Sequence, residues 1–254
     1  MISVIYEDRD VIVVKKPAGL ESQSSRSFAP DMVSEIRRYL SQKRDIHKLP
    51  TVRNASEPPY VGVVHRLDKP VGGVMVYGKN QKAAASLCAA LQEGKMKKFY
   101  LAVVCGKLVD KQGAYVDYLR QDRKNNTSCI VDKSVKDSKK GVLNYKVLEV
   151  IHREEPEEKI YSLIDIELLT GRHHQIRVQM AGHGAPVWGD SRYGERISTN
   201  VEKESTSGGL LSTGHLPLAL WAYSLKFPHP ATGKICSFEL KPTGGAFDWF
   251  SSLR

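Results

Sequence analysis

Residues 63 to 76, Val-Val-His-Arg-Leu-Asp-Lys-Pro-Val-Gly-Gly-Val-Met-Val, constrain the fold more than any other stretch of the chain. Two apolar runs flank a charged turn. Val63 and Val64 lead in, and Val74, Met75, Val76 and Tyr77 lead out. Gly72 and Gly73 between apolar runs mark a tight turn or a close backbone approach. His65, Arg66 and Asp68 place ionisable groups beside strands that must be buried, which is costly unless they are paired. On pattern alone, a surface hairpin with an Asp68–Arg66 ion pair is the simpler reading. A functional cluster is the sharper one.

The totals narrow the class. A chain of 254 residues suffices for one elaborate domain or two small ones. Its 41% hydrophobic fraction is that of a soluble globular protein. The formal net charge of +10 suits a polyanionic partner, nucleic acid first, although charge alone does not decide. Cys88, Cys105, Cys129 and Cys236 are scattered without a CxxC pair, so neither a disulfide framework nor a zinc site is expected. A reducing cytoplasm is the simplest location. Glu7 and Asp8 come too early for a signal peptide. The longest uncharged run, Ser205 to Leu225, contains Gly208, Gly209, Gly214, His215 and Pro217, and reads as a loop entering a core segment.

Along the chain, Ile2 to Asp8 and Val11 to Leu20 read as two strands joined at Asp8-Arg9-Asp10. The second is continuously apolar, as for a strand buried on both faces, and Pro17 and Gly19 end it. Pro30 to Gln42 reads as a helix with Pro30 in its first turn and Val33, Ile36 and Leu40 on one face. Residues 45 to 59 read as a loop. Asn80 is a helix cap, with Ala84, Leu87, Cys88 and Leu91 at helical spacing and Gly94 as the stop. Residues 107 to 140 are polar and basic and read as a hairpin or insertion. Asn144 to His152 and Ile160 to Leu169 read as paired strands around an acidic turn. Residues 195 to 214 are rich in Ser, Thr and Gly and read as a loop. Trp221 to Leu240 holds two more strand-like runs around Pro228 to Lys234.

Several segments then fall into one order. Tyr6, Glu7 and Asp8 precede an apolar run and Lys16-Pro-Ala-Gly. His65-Arg-Leu-Asp68 is followed by Gly73 and a strand running to Lys79. Lys98-Phe-Tyr-Leu-Ala-Val-Val-Cys-Gly, Leu169-Thr-Gly-Arg-His-His-Gln-Ile-Arg-Val, Gly189-Asp190 with Tyr193-Gly194, and Phe227-Pro-His-Pro-Ala-Thr-Gly-Lys come after it. Nearly the whole chain thereby resembles the RluA family of RNA pseudouridine synthases.

That resemblance implies an α+β fold: a mixed α/β domain on a long, largely antiparallel sheet flanked by helices and loops, with a central active-site cleft. It implies one catalytic domain over residues 1–254. Within it, the stretches 107–140 and 195–214 read as candidate RNA-contacting insertions. Many relatives carry a small S4 domain before this point. Here there is no room for one, so RNA recognition is expected to fall on the catalytic domain. The family reaction turns uridine into pseudouridine in rRNA or tRNA and needs no cofactor and no metal. Monomer is the default state.

The resemblance also assigns roles. Asp68 is the catalytic carboxylate, which attacks C1′, stabilises charge there or takes the 2′ proton. Tyr100 stacks on the extruded uracil. Arg177 pairs with Asp68 and holds it ionised. Arg66 holds the RNA open, and His65 is structural or contacts the backbone. Lys98, Arg172 and His174 complete the RNA-binding set. On a helix, His174 and Arg177 at i and i+3 would face one way. The chain departs from the family where Val71-Gly72 replaces Thr-Ser, His173 replaces Thr and Trp221 replaces a frequent His.

Two other readings stand beside this one. An inactive RNA-binding relative would have little reason to keep Asp68, Tyr100 and Arg177 together. A nucleoside or glycoside hydrolase would need a second carboxylate near these motifs, and none is there. His173, His174 and His183 have no HExxH or paired Cys beside them, so they do not read as a metal site.

Overall fold

The computed structural model describes residues 2–24, 30–46, 58–154, 158–194 and 217–253. Among them are eleven strands and three α-helices, a mixed α+β architecture as expected. The chain divides into two compact units, residues 1–100 with 221–242, and residues 101–220 with 243–254.

The first unit opens with an antiparallel pair, β1 (Ser3–Glu7) and β2 (Val11–Lys16). The Asp8 carboxylate accepts the amides of Asp10 and Val11 at 2.8 Å each and so shapes the turn between them. Helix α1 (Met32–Ile46) follows and buries Val33, Ile36 and Leu40 as their spacing predicts. It starts later than the Pro30 reading. Asp31 is the cap: its carboxylate accepts the Ser34 amide at 2.7 Å, and its own amide donates to Ser34 Oγ at 2.9 Å. A side-chain acceptor satisfies a first-turn amide, which proline cannot do, and Pro30 is left one residue outside. The helix runs through Ile46, and residues 47–57 of the expected loop lie outside the described residues.

The two-residue strand β3 (Gly62–Val63) and the fully buried β4 (Gly72–Gly78) flank the HRLD segment. β4 pairs antiparallel with β2 and β3. Helix α2 (Gln81–Gln92) is capped by Asn80, which accepts the Ala83 amide at 2.8 Å, and Gly94 at φ +70° follows its end. Val11, Val13, Val74, Val76, Leu87 and Phe227 form the core here. Strand β5 (Lys97–Cys105) then carries the chain out of the first unit after Tyr100.

In the second unit, β6 (Gln112–Asp122) and β7 (Thr127–Val131) make the hairpin expected within 107–140. The long β8 (Lys139–Glu154) and β9 (Glu158–Leu168) pair antiparallel, giving the order β9-β8-β6-β7. Helix α3 (Gln175–Gly182) follows. The expected loop at 195–214 lies outside the described residues.

Strands β10 (Leu220–Pro228) and β11 (Ile235–Glu239) return to the first unit as an antiparallel pair. β10 runs parallel to β4, with Trp221 opposite Gly72 and Ala222 opposite Gly73. This is the close approach that the Gly-Gly pair signals. A Cβ on Gly73, whose φ is +136°, would sit 2.2 Å from the Ala222 carbonyl oxygen. A Cβ on Gly72 would sit 2.3 Å from Trp221 Cζ3. Two of the departures from the family pattern, Gly72 and Trp221, are therefore neighbours: the indole fills the space a side chain at 72 would need. Among the described residues no helix is long and apolar enough to cross a membrane.

Candidate active site

The backbone of the turn that carries Asp68 is held from several sides. Asp68 accepts the Val71 amide through its own carbonyl at 2.9 Å. Ser22 Oγ donates to the Leu67 carbonyl at 2.8 Å and accepts the Leu67 amide at 3.0 Å, fixing the residue just before Asp68. The Lys16 ammonium donates to the carbonyls of Pro17 (3.0 Å), Lys69 (3.1 Å) and Val71 (2.6 Å). That uses all three of its protons. Gly19, at φ +88°, donates its amide to the same Lys69 carbonyl at 2.8 Å. The Lys-Pro-Ala-Gly phrase is thus the cradle of the turn. Burial draws the Lys16 amine down to about 8, while Asp68 favours its charged form.

His65 opens the same segment. Its Nε2 accepts the Val76 amide at 3.2 Å, standing in for a strand partner beyond the end of β3. Burial, with the Lys98 charge adding to it, pushes His65 down to about 3, so the imidazole is neutral. Its proton therefore sits on Nδ1, which is buried and has no hydrogen-bond partner among the described residues. Lys98 is itself buried, and Arg66 is exposed. Tyr100 is 6% exposed, and burial, then the nearby Asp68, push its hydroxyl well above the usual phenol range. Asp68 and Tyr100 are thus brought together electrostatically within the first unit.

Arg177 lies on α3 in the second unit, 4% exposed. Its Nε donates to Asp190 Oδ2 and its Nη2 to Asp190 Oδ1, both at 2.7 Å. Asp190 Oδ1 also accepts the amides of Arg192 (2.9 Å) and Tyr193 (3.2 Å). Burial alone would raise the Asp190 carboxyl. The guanidinium and the two amides outweigh it and hold the group below its ordinary range. The Tyr193 ring lies 5.2 Å from the Arg177 guanidinium carbon.

The loop before α3 is equally tied down. His174 is not on the helix: it stands at φ 53° just before Gln175, so the i, i+3 helical alignment with Arg177 does not form. Its Nδ1 lies 2.8 Å from the Tyr193 hydroxyl, which also accepts the Ser128 amide at 2.8 Å. His173 stacks on His174 at 3.7 Å and meets Ser128 Oγ at 2.9 Å. Arg172 is exposed, with its Nε on the Lys140 carbonyl at 2.9 Å. Thr170 Oγ1 donates to Gln175 Oε1 (2.7 Å), Gln175 Nε2 to Gln179 Oε1 (2.9 Å), and Gln179 Nε2 to Asp117 Oδ2 (2.7 Å). The Thr and Gln of the Thr-Gly-Arg signature therefore anchor α3 to β6.

Residues 10–182 match the model of a family described as RNA pseudouridylate synthase. The chain belongs to this family. It is 35% identical over 240 residues to an uncharacterized RNA pseudouridine synthase of Aquifex aeolicus, spanning 94% of this chain and 69% of that protein. It is 32% identical over 257 residues to ribosomal large subunit pseudouridine synthase D of Neisseria meningitidis serogroup A, spanning 100% of this chain and 61% of that protein. The solved structure of human RNA pseudouridylate synthase domain containing 1 shares the fold at a TM-score of 0.69 and 21% identity, covering 100% of this chain and 86% of that one. As an RluA-type pseudouridine synthase, the protein isomerises uridine to pseudouridine within RNA.

For this synthase, sequence reasoning missed Lys16 and Ser22 as supports of the turn that carries Asp68, and Asp190 and Tyr193 as neighbours of Arg177. Asp190 and Tyr193 sit in a motif that had no role attached, whereas Lys16, second of two lysines after an apolar run, reads as an ordinary strand-end lysine. Among the described residues, one group has metal-ligand spacing, Asp8, Asp10 and His229. Asp8 and His229 pair with each other at 2.7 Å, Asp8 also accepts from Tyr6, and Asp10 accepts from Asn80.

Proposed function

We propose that this synthase acts on structured RNA, with ribosomal RNA of the large subunit as the first candidate, and that Asp68 is its catalytic carboxylate. The observation that carries this is the turn at Asp68, whose flanking carbonyls and amides are fixed by Lys16 and Ser22. Such a frame keeps one carboxylate at a set distance from a bound ribose, which is what attack at C1′ or removal of the 2′ proton requires. The N1–C1′ bond breaks, the uracil turns, and C5 bonds to C1′. C5 loses a proton and N1 gains one, so the reaction is an isomerisation and needs no oxidant.

Tyr100 offers its ring to the extruded uracil and stays protonated while it does so. Arg177 serves as the active-site arginine. Arg66 and Arg172, both exposed, meet RNA phosphates. His65, Lys98 and His174 support the RNA-binding surface from within. The register sets Tyr118 opposite Lys140 with Arg120 on the same face, which gives the 107–140 insertion a basic, aromatic surface suited to RNA. The protein works as a monomer in the cytoplasm, with salt-sensitive affinity.

The test is tritium release from large-subunit rRNA and from tRNA, each labelled at uridine C5. Release with pseudouridine recovered from the rRNA is the expected result. Free uracil among the products would point to hydrolysis at C1′, and silence on both RNAs would contradict the proposal.

A further inference from the structure

We infer that Asp190 and Tyr193 are positioning residues for Arg177, the carboxylate fixing the guanidinium in its plane and the tyrosine ring fixing it from its face. This rests on the reading of Arg177 as the active-site arginine. Arginine has a long, flexible stem, and α3 alone does not aim its head group. The Asp190 pair is side-on: it engages Nε and Nη2, and Nη1 is not part of it. A side-on pair locks the guanidinium plane while leaving the opposite edge to face a second anion.

The clamp is itself held. Amides of Arg192 and Tyr193 converge on Asp190 Oδ1, so the carboxylate cannot rotate without losing them. Tyr193 is fixed through its hydroxyl, which accepts the Ser128 amide of β7 and faces His174 Nδ1. Arg192 Nη1 reaches the carbonyls of Asn125 (3.3 Å) and Asn126 (3.4 Å) at the tip of the β6–β7 hairpin. The loop that clamps Arg177 is therefore the loop on which the hairpin docks. The Gly-Asp…Tyr-Gly motif acquires a role in this way.

The experiment measures single-turnover tritium release and RNA affinity for wild type, Arg177→Met, Asp190→Asn, Tyr193→Phe, Tyr193→Leu and the Arg177→Met/Asp190→Asn double variant. Misplacement of a catalytic group costs on the order of 100-fold in rate, and that is expected for Asp190→Asn, with RNA affinity held within about threefold. Tyr193→Leu should lose about tenfold, and Tyr193→Phe, which keeps the ring, should recover most of that loss. The double variant should be no slower than Arg177→Met alone. Should Asp190→Asn not fold, as judged by circular dichroism, the Tyr193 pair decides. Wild-type rates for Asp190→Asn and Tyr193→Leu beside a slow Arg177→Met would overturn the inference, and so would additive losses in the double variant. A fast Arg177→Met would instead remove the reading of Arg177 on which it stands.

Discussion

The turn bearing Asp68 and the helix bearing Arg177 are held by opposite strategies. Around Asp68 the contacts run from side chains to backbone: Lys16 to three carbonyls, Ser22 to both polar groups of Leu67, His65 to the Val76 amide. Around Arg177 they run from side chain to side chain, through Asp190 and the Thr170–Gln175–Gln179–Asp117 chain. The first strategy fixes where a residue stands whatever its neighbours are. The second fixes where a long side chain points. A short carboxylate on a turn needs the former, and an arginine on a helix needs the latter.

Two glycines give the largest test of that contrast. A Cβ on Gly73 meets the Ala222 carbonyl at 2.2 Å, on backbone that a strand pairing holds in place. A Cβ on Gly182 meets the Ile130 Cδ1 methyl at 2.3 Å, the far end of a flexible side chain. Gly73→Ala should cost about 4 kcal/mol in urea unfolding, and Gly182→Ala less than about 1 kcal/mol. Equal losses would mean that the two regions are equally rigid.

Lys16 comes next. Lys16→Met strands three buried carbonyls and should cost about 3 kcal/mol, with a loss of turnover in the surviving folded fraction. Its pH dependence sharpens the point. With a folded value of about 8 against an ordinary 10.5, unfolding takes up a proton in that window. Lys16 therefore makes the fold more stable, not less, as pH rises from about 8 to 10.5. The neutral amine has only two protons for three carbonyls. Turnover should fall above about pH 8 while thermal stability holds, and a parallel fall in both would contradict this role.

His65 gives the smallest effect at neutral pH. Its folded value of about 3 lies below the ordinary 6.5, so its stabilising contribution is complete above pH 6.5 and is lost as pH falls toward 3. His65→Gln can keep an acceptor for Val76 and should flatten that acid loss in urea midpoints.

Much of this was legible in the residues. The strand pairs, the Asn80 cap and the Gly-Gly approach follow from local rules, and the structure agrees with each of them. The helix start did not follow, because Pro30 drew attention from the Asp31–Ser34 reciprocal cap. Among site residues, the HRLD and Thr-Gly-Arg segments stand out by composition. Lys16 does not: a lysine at a strand end usually reaches solvent, and only the return of residues 69 to 71 over it makes it a buried hub. Asp190 was visible as a motif letter, yet its partner is 13 residues away and joined by tertiary packing alone.

The most direct measurement is C5-tritium release by Asp68→Asn beside wild type, with folding and RNA affinity measured on the same samples. The substitution leaves the Lys16, Ser22 and Gly19 contacts in place, since all of them address the backbone. The account predicts a loss of at least about 1,000-fold in rate with RNA affinity and melting temperature unchanged. Turnover by Asp68→Asn within about tenfold of wild type would contradict it.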